Sequence, residues 1–342
     1  MSEPIFYFKD KSRNIVPFKG QDIQSKARER LNFLRENYKL PDYIVENWEK
    51  VKLYNPGGEV NKATALIIEI EDGAYDVKNK MNDLTGKQWT KFTCSWFIFN
   101  ALRSDIKEEI EVSPDTQNHP ATYSPTMISS FIEFFTKKGD VVFDPFLGIG
   151  STLVACNRTG RIGYGIELNP EYYELAKLRN KSFSENIFNT DSTKLDKIKL
   201  PEIDFSISSP PYWDVLNRST DGFKAEREEK GLHHNYSDSV SDLGNIGDYD
   251  EFIKKTCLVY KKLYKKMKNH GYLVIIVKNV KKKGKLYPIA WDLARELGKL
   301  YTLKDEKIWI QDKIGLSPYG YPHSWASNIL HHYCLVFQKE EG

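Results

Sequence analysis

The sequence predicts an α/β fold, an open and mostly parallel sheet with helices on both faces, and three observations carry that expectation. Short apolar runs alternate with amphipathic stretches from Met127 to Leu300. One run, Tyr272–Val277 (YLVIIV), is apolar throughout, as a strand covered on both faces is. Between a short run and the amphipathic stretch after it lies a glycine turn, Gly148-Ile-Gly150.

Taken in order, residues 1–40 are charged and read as mostly helical, with Ala27, Leu31, Phe33 and Leu34 at near-helical spacing within Gln21–Tyr38. Pro56–Gly58 is a turn. Thr64–Ile70 and Lys87–Asn100 fit a helix or a strand equally well. Residues 115–125 are polar with two prolines and read as a loop. A helix over Met127–Thr136 stops near Gly139, a strand follows at Val141–Phe143, and Ser151–Asn157 opens the next helix. Arg161–Ile166 is a strand ending in Glu167, Pro170–Lys181 a helix, and Ile187–Asn189 and Phe205–Ser208 two more strands. Tyr249–Lys268 reads as a long helix with Phe252, Leu258, Val259 and Leu263 on one side. Tyr272–Val277 is a central strand, Ile289–Leu300 a helix, and Lys307–Gln311 and Tyr333–Phe337 an antiparallel closing pair. The polar stretch from Trp213 to Asp248 breaks the alternation. Structureless stretches beyond roughly 12–15 residues are usually functional or mobile.

The 342 residues suit one large domain or two modest ones. At 40% hydrophobic and 28% charged, the chain is globular in composition. Its net charge of +3, from 50 Lys+Arg against 47 Asp+Glu, excludes a polycation and leaves room for a local basic face. The four cysteines, Cys94, Cys156, Cys257 and Cys334, lack metal-clip spacing, so no metal is expected. The start of the sequence lacks a signal-peptide pattern, and no apolar run approaches the roughly 20 residues that span a bilayer. The expectation is a cytoplasmic protein with no membrane partner.

Two segments carry chemistry. Asp144-Pro-Phe-Leu-Gly-Ile-Gly150 leaves a strand and opens a helix, where glycines let backbone approach a ligand. It is not the dinucleotide fingerprint, since position 153 is Leu, and Asp144 argues against an anionic ligand. Glu167, at the end of the next strand, is placed to hold ribose hydroxyls. Together they read as a nucleoside site rather than a solvated turn. In Ser209-Pro-Pro-Tyr212 the two prolines remove N–H donors and stiffen the chain. Their neighbouring carbonyls can accept from an amino group, Ser209 adds an acceptor, and Tyr212 adds a flat stacking face. The set suits a planar heterocycle bearing an exocyclic amine.

These motifs resemble the S-adenosylmethionine-dependent amino-group DNA methyltransferases, over about residues 80–340. The family's D-P-F-x-G-x-G turn matches Asp144–Gly150, and its S/D/N-P-P-Y/F/W tetrapeptide matches Ser209–Tyr212. His119-Pro-Ala-Thr-Tyr-Ser-Pro125, Leu84–Trp96 and Asp242–Tyr249 also read like family segments. The resemblance implies a Rossmann-like, seven-stranded sheet with an antiparallel terminal strand. It also implies S-adenosylmethionine as cofactor and double-stranded DNA as partner. A serine at the first tetrapeptide position is typical of cytosine-N4 enzymes, and no Pro-Cys dipeptide exists for C5 chemistry.

By the same resemblance, Ser209, Pro210, Pro211 and Tyr212 are the catalytic set. Thr122, Ser124 and the turn Asp144, Pro145, Phe146, Gly148 and Gly150 hold the methionine part, Glu167 the ribose and Asp191 the adenine. Asp191 also fits a helix N-cap. His119 reads as structural, and His233-His234 as a solvated loop. The cofactor turn precedes the tetrapeptide with no room between them for a target-recognition domain. Recognition is therefore expected from residues 1–110, from the 213–248 insertion, or from both, with residues 111–342 as the catalytic domain. An adenine-N6 enzyme and an RNA or tRNA methyltransferase stay open as alternatives. A protein glutamine methylase and a non-catalytic binder fit the tetrapeptide and the acids less well. A cognate restriction endonuclease is the partner a restriction-modification system would add.

Overall fold

The computed structural model describes residues 6–9, 12, 14–18, 20–55, 67–100, 123–213, 242–282, 284–318 and 321–341. Thr122, His119, His233-His234 and most of the 213–248 stretch lie outside them. The chain divides into two units, Met1–Cys94 and Ser95–Gly342.

The first unit is a five-stranded sheet, ordered β2-β1-β3-β4-β5, with one long helix. Its strands are β1 (Phe6–Lys9), β2 (Ile15–Pro17), β3 (Lys52–Tyr54), β4 (Ile67–Ile70) and β5 (Gly73–Asp76). The expectation of a mostly helical residue 1–40 stretch is corrected here. Before Gln21 the described residues include the strands β1 and β2, and the helix (α1) runs over Gln21–Asn37. Strands of three or four residues are too short to show periodicity. Ala27, Leu31 and Leu34 of α1 are buried with Phe6, Leu53, Ile68 and Tyr75, whereas Phe33 is exposed. After the short helix α2 (Asp42–Glu46), α3 (Gly86–Phe92) closes the unit, and Thr85 and Gln88 form a capping box at its start.

In the second unit the sheet has eight strands, in the order β6-β14-β15-β11-β10-β7-β8-β9. They are β6 (Trp96–Ile98), β7 (Val141–Asp144), β8 (Ile162–Glu167), β9 (Ile187–Asn189), β10 (Ile203–Ser208), β11 (Met267–Val277), β14 (Thr302–Ile310) and β15 (His331–Gln338). A hairpin of β12 (Val280–Lys282) and β13 (Lys285–Tyr287) stands apart. Only the chain-terminal β15 runs antiparallel, against β11 on one side and β14 on the other. The seven expected strands are all present, and β6 is the eighth. Because β6 pairs with β14, the unit boundary falls ahead of residue 110.

Helix α4 (Pro125–Phe135) covers one face, where Phe135 stacks 5.2 Å from Phe205 and lies 4.9 Å from Tyr272. Helices α7 (Tyr249–Tyr264) and α8 (Ile289–Leu297) cover the other, burying Tyr260, Leu263 and Leu293 against Leu273, Ile275, Leu335 and Phe337. Helix α7 ends at Tyr264 rather than Lys268, since Met267 already pairs with Ile203, and Leu258 is exposed. Helices α5 (Ser151–Thr159) and α6 (Pro170–Arg179) follow β7 and β8. Among the described residues no helix is long and apolar enough to cross a membrane, and no group of three His, Cys, Asp or Glu is placed to hold a metal ion.

Candidate active site

The site forms where β7, β8 and β10 end side by side. Asp144 closes β7 fully buried. Its Oδ1 accepts from the Phe146 N–H at 2.9 Å, and its Oδ2 from Tyr123 Oη at 2.6 Å and Thr152 Oγ1 at 2.5 Å. Burial pushes this carboxyl up to about 6 even though all three bonds pull it down. Asp144 therefore sits under the turn and shapes it.

Gly148 and Gly150 take φ of 56° and 87°, left-handed values that glycine adopts without a Cβ clash. The Leu147 N–H donates to the Ile166 carbonyl at 2.8 Å, and the Gly148 N–H to Glu167 Oε2 at 2.7 Å. Gly165 makes room for this docking. A Cβ there would stand 2.8 Å from Leu147 Cδ2.

Glu167 is half-buried, and its Oε1 accepts from the Asn169 N–H at 2.7 Å. Each carboxylate oxygen thus spends one lone pair on backbone and keeps another. Burial is the main cause that raises this acid to about 7; the two backbone bonds lower it, and Asp242 and Asp144 raise it further. Asp191 caps the short helical turn Ser192–Lys197 by accepting from the Thr193 N–H at 2.8 Å. It nonetheless lines the same cleft as Glu167, so cap and ligand roles are compatible.

That cleft is about 870 Å³ including its open mouth. Its walls include Pro145, Phe146, Leu147, Gly148, Ile166, Leu168 and Tyr172, together with Glu167, Asp191 and Ser209-Pro210-Pro211. The lining fits S-adenosylmethionine: apolar walls that a purine can pack on, and the carboxylates of Glu167, Asp191 and Asp242, which suit hydroxyl and amino donors rather than a phosphate.

Several expected residues are placed differently. Ser124 is buried and serves as the N-cap of α4, accepting from the Met127 N–H at 3.4 Å; its neighbour Tyr123 lines the cleft instead. The Ser124-Pro125 pair was itself the signal, a capping residue followed by proline at the first helical position. Asp242 and Leu243 also line the cleft, a role that sequence reasoning did not assign to them. Tyr212 does not line it. Its ring turns toward β15, 6.2 Å from the His332 ring, and burial pushes its phenol up to about 12. Ser209 Oγ donates to Tyr212 Oη at 3.4 Å, so the tetrapeptide runs from the cleft lining to a ring near His332.

A protein-family model described as DNA methylase matches residues 2–178. Type II methyltransferase M.Cfr9I of Citrobacter freundii is 38% identical over 78 residues, 23% of this chain and 26% of that protein. Type II methyltransferase M.MjaII of Methanocaldococcus jannaschii is 28% identical over 188 residues, 53% of this chain and 27% of that protein. The chain thus spans about a quarter of the length of these curated relatives. Among solved structures, TrmN from Thermus thermophilus superposes with a TM-score of 0.41 at 14% identity, covering 64% of this chain and 50% of that one. The family match takes in the Asp144–Gly150 turn and Glu167. The chain belongs to the N6/N4 DNA methylase family, whose methyl donor is S-adenosylmethionine.

Proposed function

We propose that the chain transfers a methyl group from S-adenosylmethionine to the exocyclic N4 amine of cytosine in duplex DNA. The observation that carries this reading is the position of Ser209-Pro210-Pro211 on the wall of the cleft, with the Tyr212 ring outside that lining and near His332. An amine held at Ser209 would meet the cleft on one side while its ring stacks on the other. The bound sulfonium supplies an electrophilic methyl group, which needs no metal.

The protein's task is alignment. Glu167 holds the ribose hydroxyls, with its carboxylate fixed by the Gly148 and Asn169 N–H groups. Asp191 takes the adenine amine. Tyr212 stacks on the base after it leaves the duplex, as any base inside the stack must. Ser209 Oγ and the Pro210 carbonyl accept the two N–H bonds of the target amine and point its lone pair into the cleft. Bound S-adenosylmethionine would supply the methyl group, its sulfonium keeping the electrons of the S–CH3 bond, while Ser209 and Pro210 would hold the amine in line and its surplus proton would pass to solvent. Serine at position 209 supports cytosine as the base. The type II designation of the relatives supports a restriction-modification setting, with a cognate nuclease as partner.

The test is to incubate the protein with labelled S-adenosylmethionine and unmethylated duplex DNA and identify the modified nucleoside by mass. N4-methylcytosine is expected. N6-methyladenine would overturn the base assignment and keep the chemistry. Label on tRNA and none on DNA would overturn the substrate class.

A further inference from the structure

A row of side chains crosses the sheet edge beside Tyr212. In the antiparallel register Val277 pairs with Tyr333, which carries the next residue, Lys278, to the position facing His332. His332 pairs in turn with Trp309, and Trp309 with Phe97. Directly opposed residues share a face of a sheet. The His332 and Trp309 rings stack at 4.4 Å, and the indole N–H of Trp309 is anchored on the Phe99 carbonyl at 2.9 Å.

The polar groups of this row are unspent. His332 is 7% exposed, and its Nδ1 has no hydrogen-bond partner. Lys278 is half-buried, and among the described residues no carboxylate or carbonyl engages its ammonium. Buried polar groups are normally satisfied, so the His332 nitrogen is an exception that asks for a partner, and the Lys278 ammonium beside it is partly desolvated. Burial, with the Lys278 charge and His331, holds His332 far down at about 3. The imidazole is therefore neutral, with one N–H to give. Lys278 can only donate.

We propose that Lys278, with His332 beside it, donates to the 2-carbonyl of a cytosine stacked on Tyr212 and so separates cytosine from adenine. The inference rests on the function proposed above. Along its pairing edge cytosine presents an amino group, the N3 acceptor and the O2 acceptor. Adenine presents an amino group, the N1 acceptor and a C–H. With the amines superposed at Ser209, the two bases differ at the third position, where cytosine alone offers an acceptor. Adenine would leave a desolvated ammonium unpaired, and sites built around such a bond reject the ligand that lacks it.

The experiment uses duplexes carrying the chain's own methylation site, with the target either cytosine or a pyrimidine lacking the 2-carbonyl. Wild type, Lys278→Met and Lys278→Arg are compared by kcat/KM. Wild type is expected to lose about 30-fold or more when the carbonyl is removed. Lys278→Met should lose a similar factor on cytosine and nothing further on the analogue. Lys278→Arg should keep the carbonyl dependence. Any altered amine reactivity of the analogue cancels, because each protein meets the same pair of substrates. An unchanged S-adenosylmethionine affinity shows that the variants are folded.

A Lys278→Met protein that still depends on the carbonyl overturns the inference. So does one that loses rate equally on both substrates with a salt-dependent KM, the sign of a phosphate contact. Wild type that methylates no cytosine defeats the underlying function instead, before any variant is compared.

Discussion

The two sides of the Ser209–Tyr212 segment are finished differently. On the cofactor side every acid is already engaged. Asp144 accepts three hydrogen bonds, Glu167 two from backbone N–H groups, and Asp191 one. On the Tyr212 side, among the described residues, the His332 Nδ1 is buried with no hydrogen-bond partner and the partly buried Lys278 ammonium meets no carboxylate. A pocket for a small ligand whose pose never varies gains from being held in place beforehand. A pocket for a base that arrives from a duplex leaves its donors for that base. On the proposed reading the difference separates affinity from selectivity: cofactor binding would depend on geometry the fold has already fixed, and base choice on groups left for the substrate.

Substitutions can break that division. Glu167→Ala removes the preset acceptor and should weaken S-adenosylmethionine binding about 10- to 150-fold, read by calorimetry. Tyr212→Ala should act on the other side only, lowering kcat/KM for DNA about 5- to 150-fold while the cofactor Kd stays within about twofold. If Tyr212→Ala costs cofactor affinity as much as Glu167→Ala does, the two sides are not separate.

A pH series sharpens the contrast. Glu167 titrates near 7, above its ordinary 4.5, and the hydroxyls need its carboxylate form. Cofactor affinity should fall about tenfold per pH unit below about 7, and Glu167→Gln should lose that slope. Stability runs the other way. A carboxyl raised by the fold favours the folded state when protonated, so its contribution is full below about 4.5 and is lost as pH rises through about 7. The Tm of the ligand-free protein should therefore gain from Glu167 over the same interval in which affinity declines. The smallest effect is structural. Tyr123→Phe takes one donor from buried Asp144 and should cost about 1–3 kcal/mol in denaturant unfolding while leaving base preference alone.

Much of the cofactor side was legible in the sequence because it is local. Asp144–Gly150 and Glu167 lie on consecutive strand ends, and a strand–turn–helix pattern places them together. A serine before proline reads equally as a ligand or a cap, and Ser124 is buried as the cap of α4. The Lys278–His332–Trp309 row was not legible. It exists only through the register of strands that are distant in sequence, which no local periodicity encodes. The short strands β1, β2 and β6 escaped for a related reason, since pairing partners rather than composition make three residues a strand.

The seating of Leu147 over Gly165 carries a last consequence. The turn takes its shape from what lies outside it: the Ile166 carbonyl, the Glu167 carboxylate, the bare Gly165 backbone, and Asn180, which donates to the Gly150 carbonyl at 3.1 Å. The segment Asp144–Gly150 is therefore not a portable module. Grafted onto another strand–helix junction it would keep its letters and lose its curve, so the transferable unit in recombination or design runs from β7 through Asn180, the residue that caps α6.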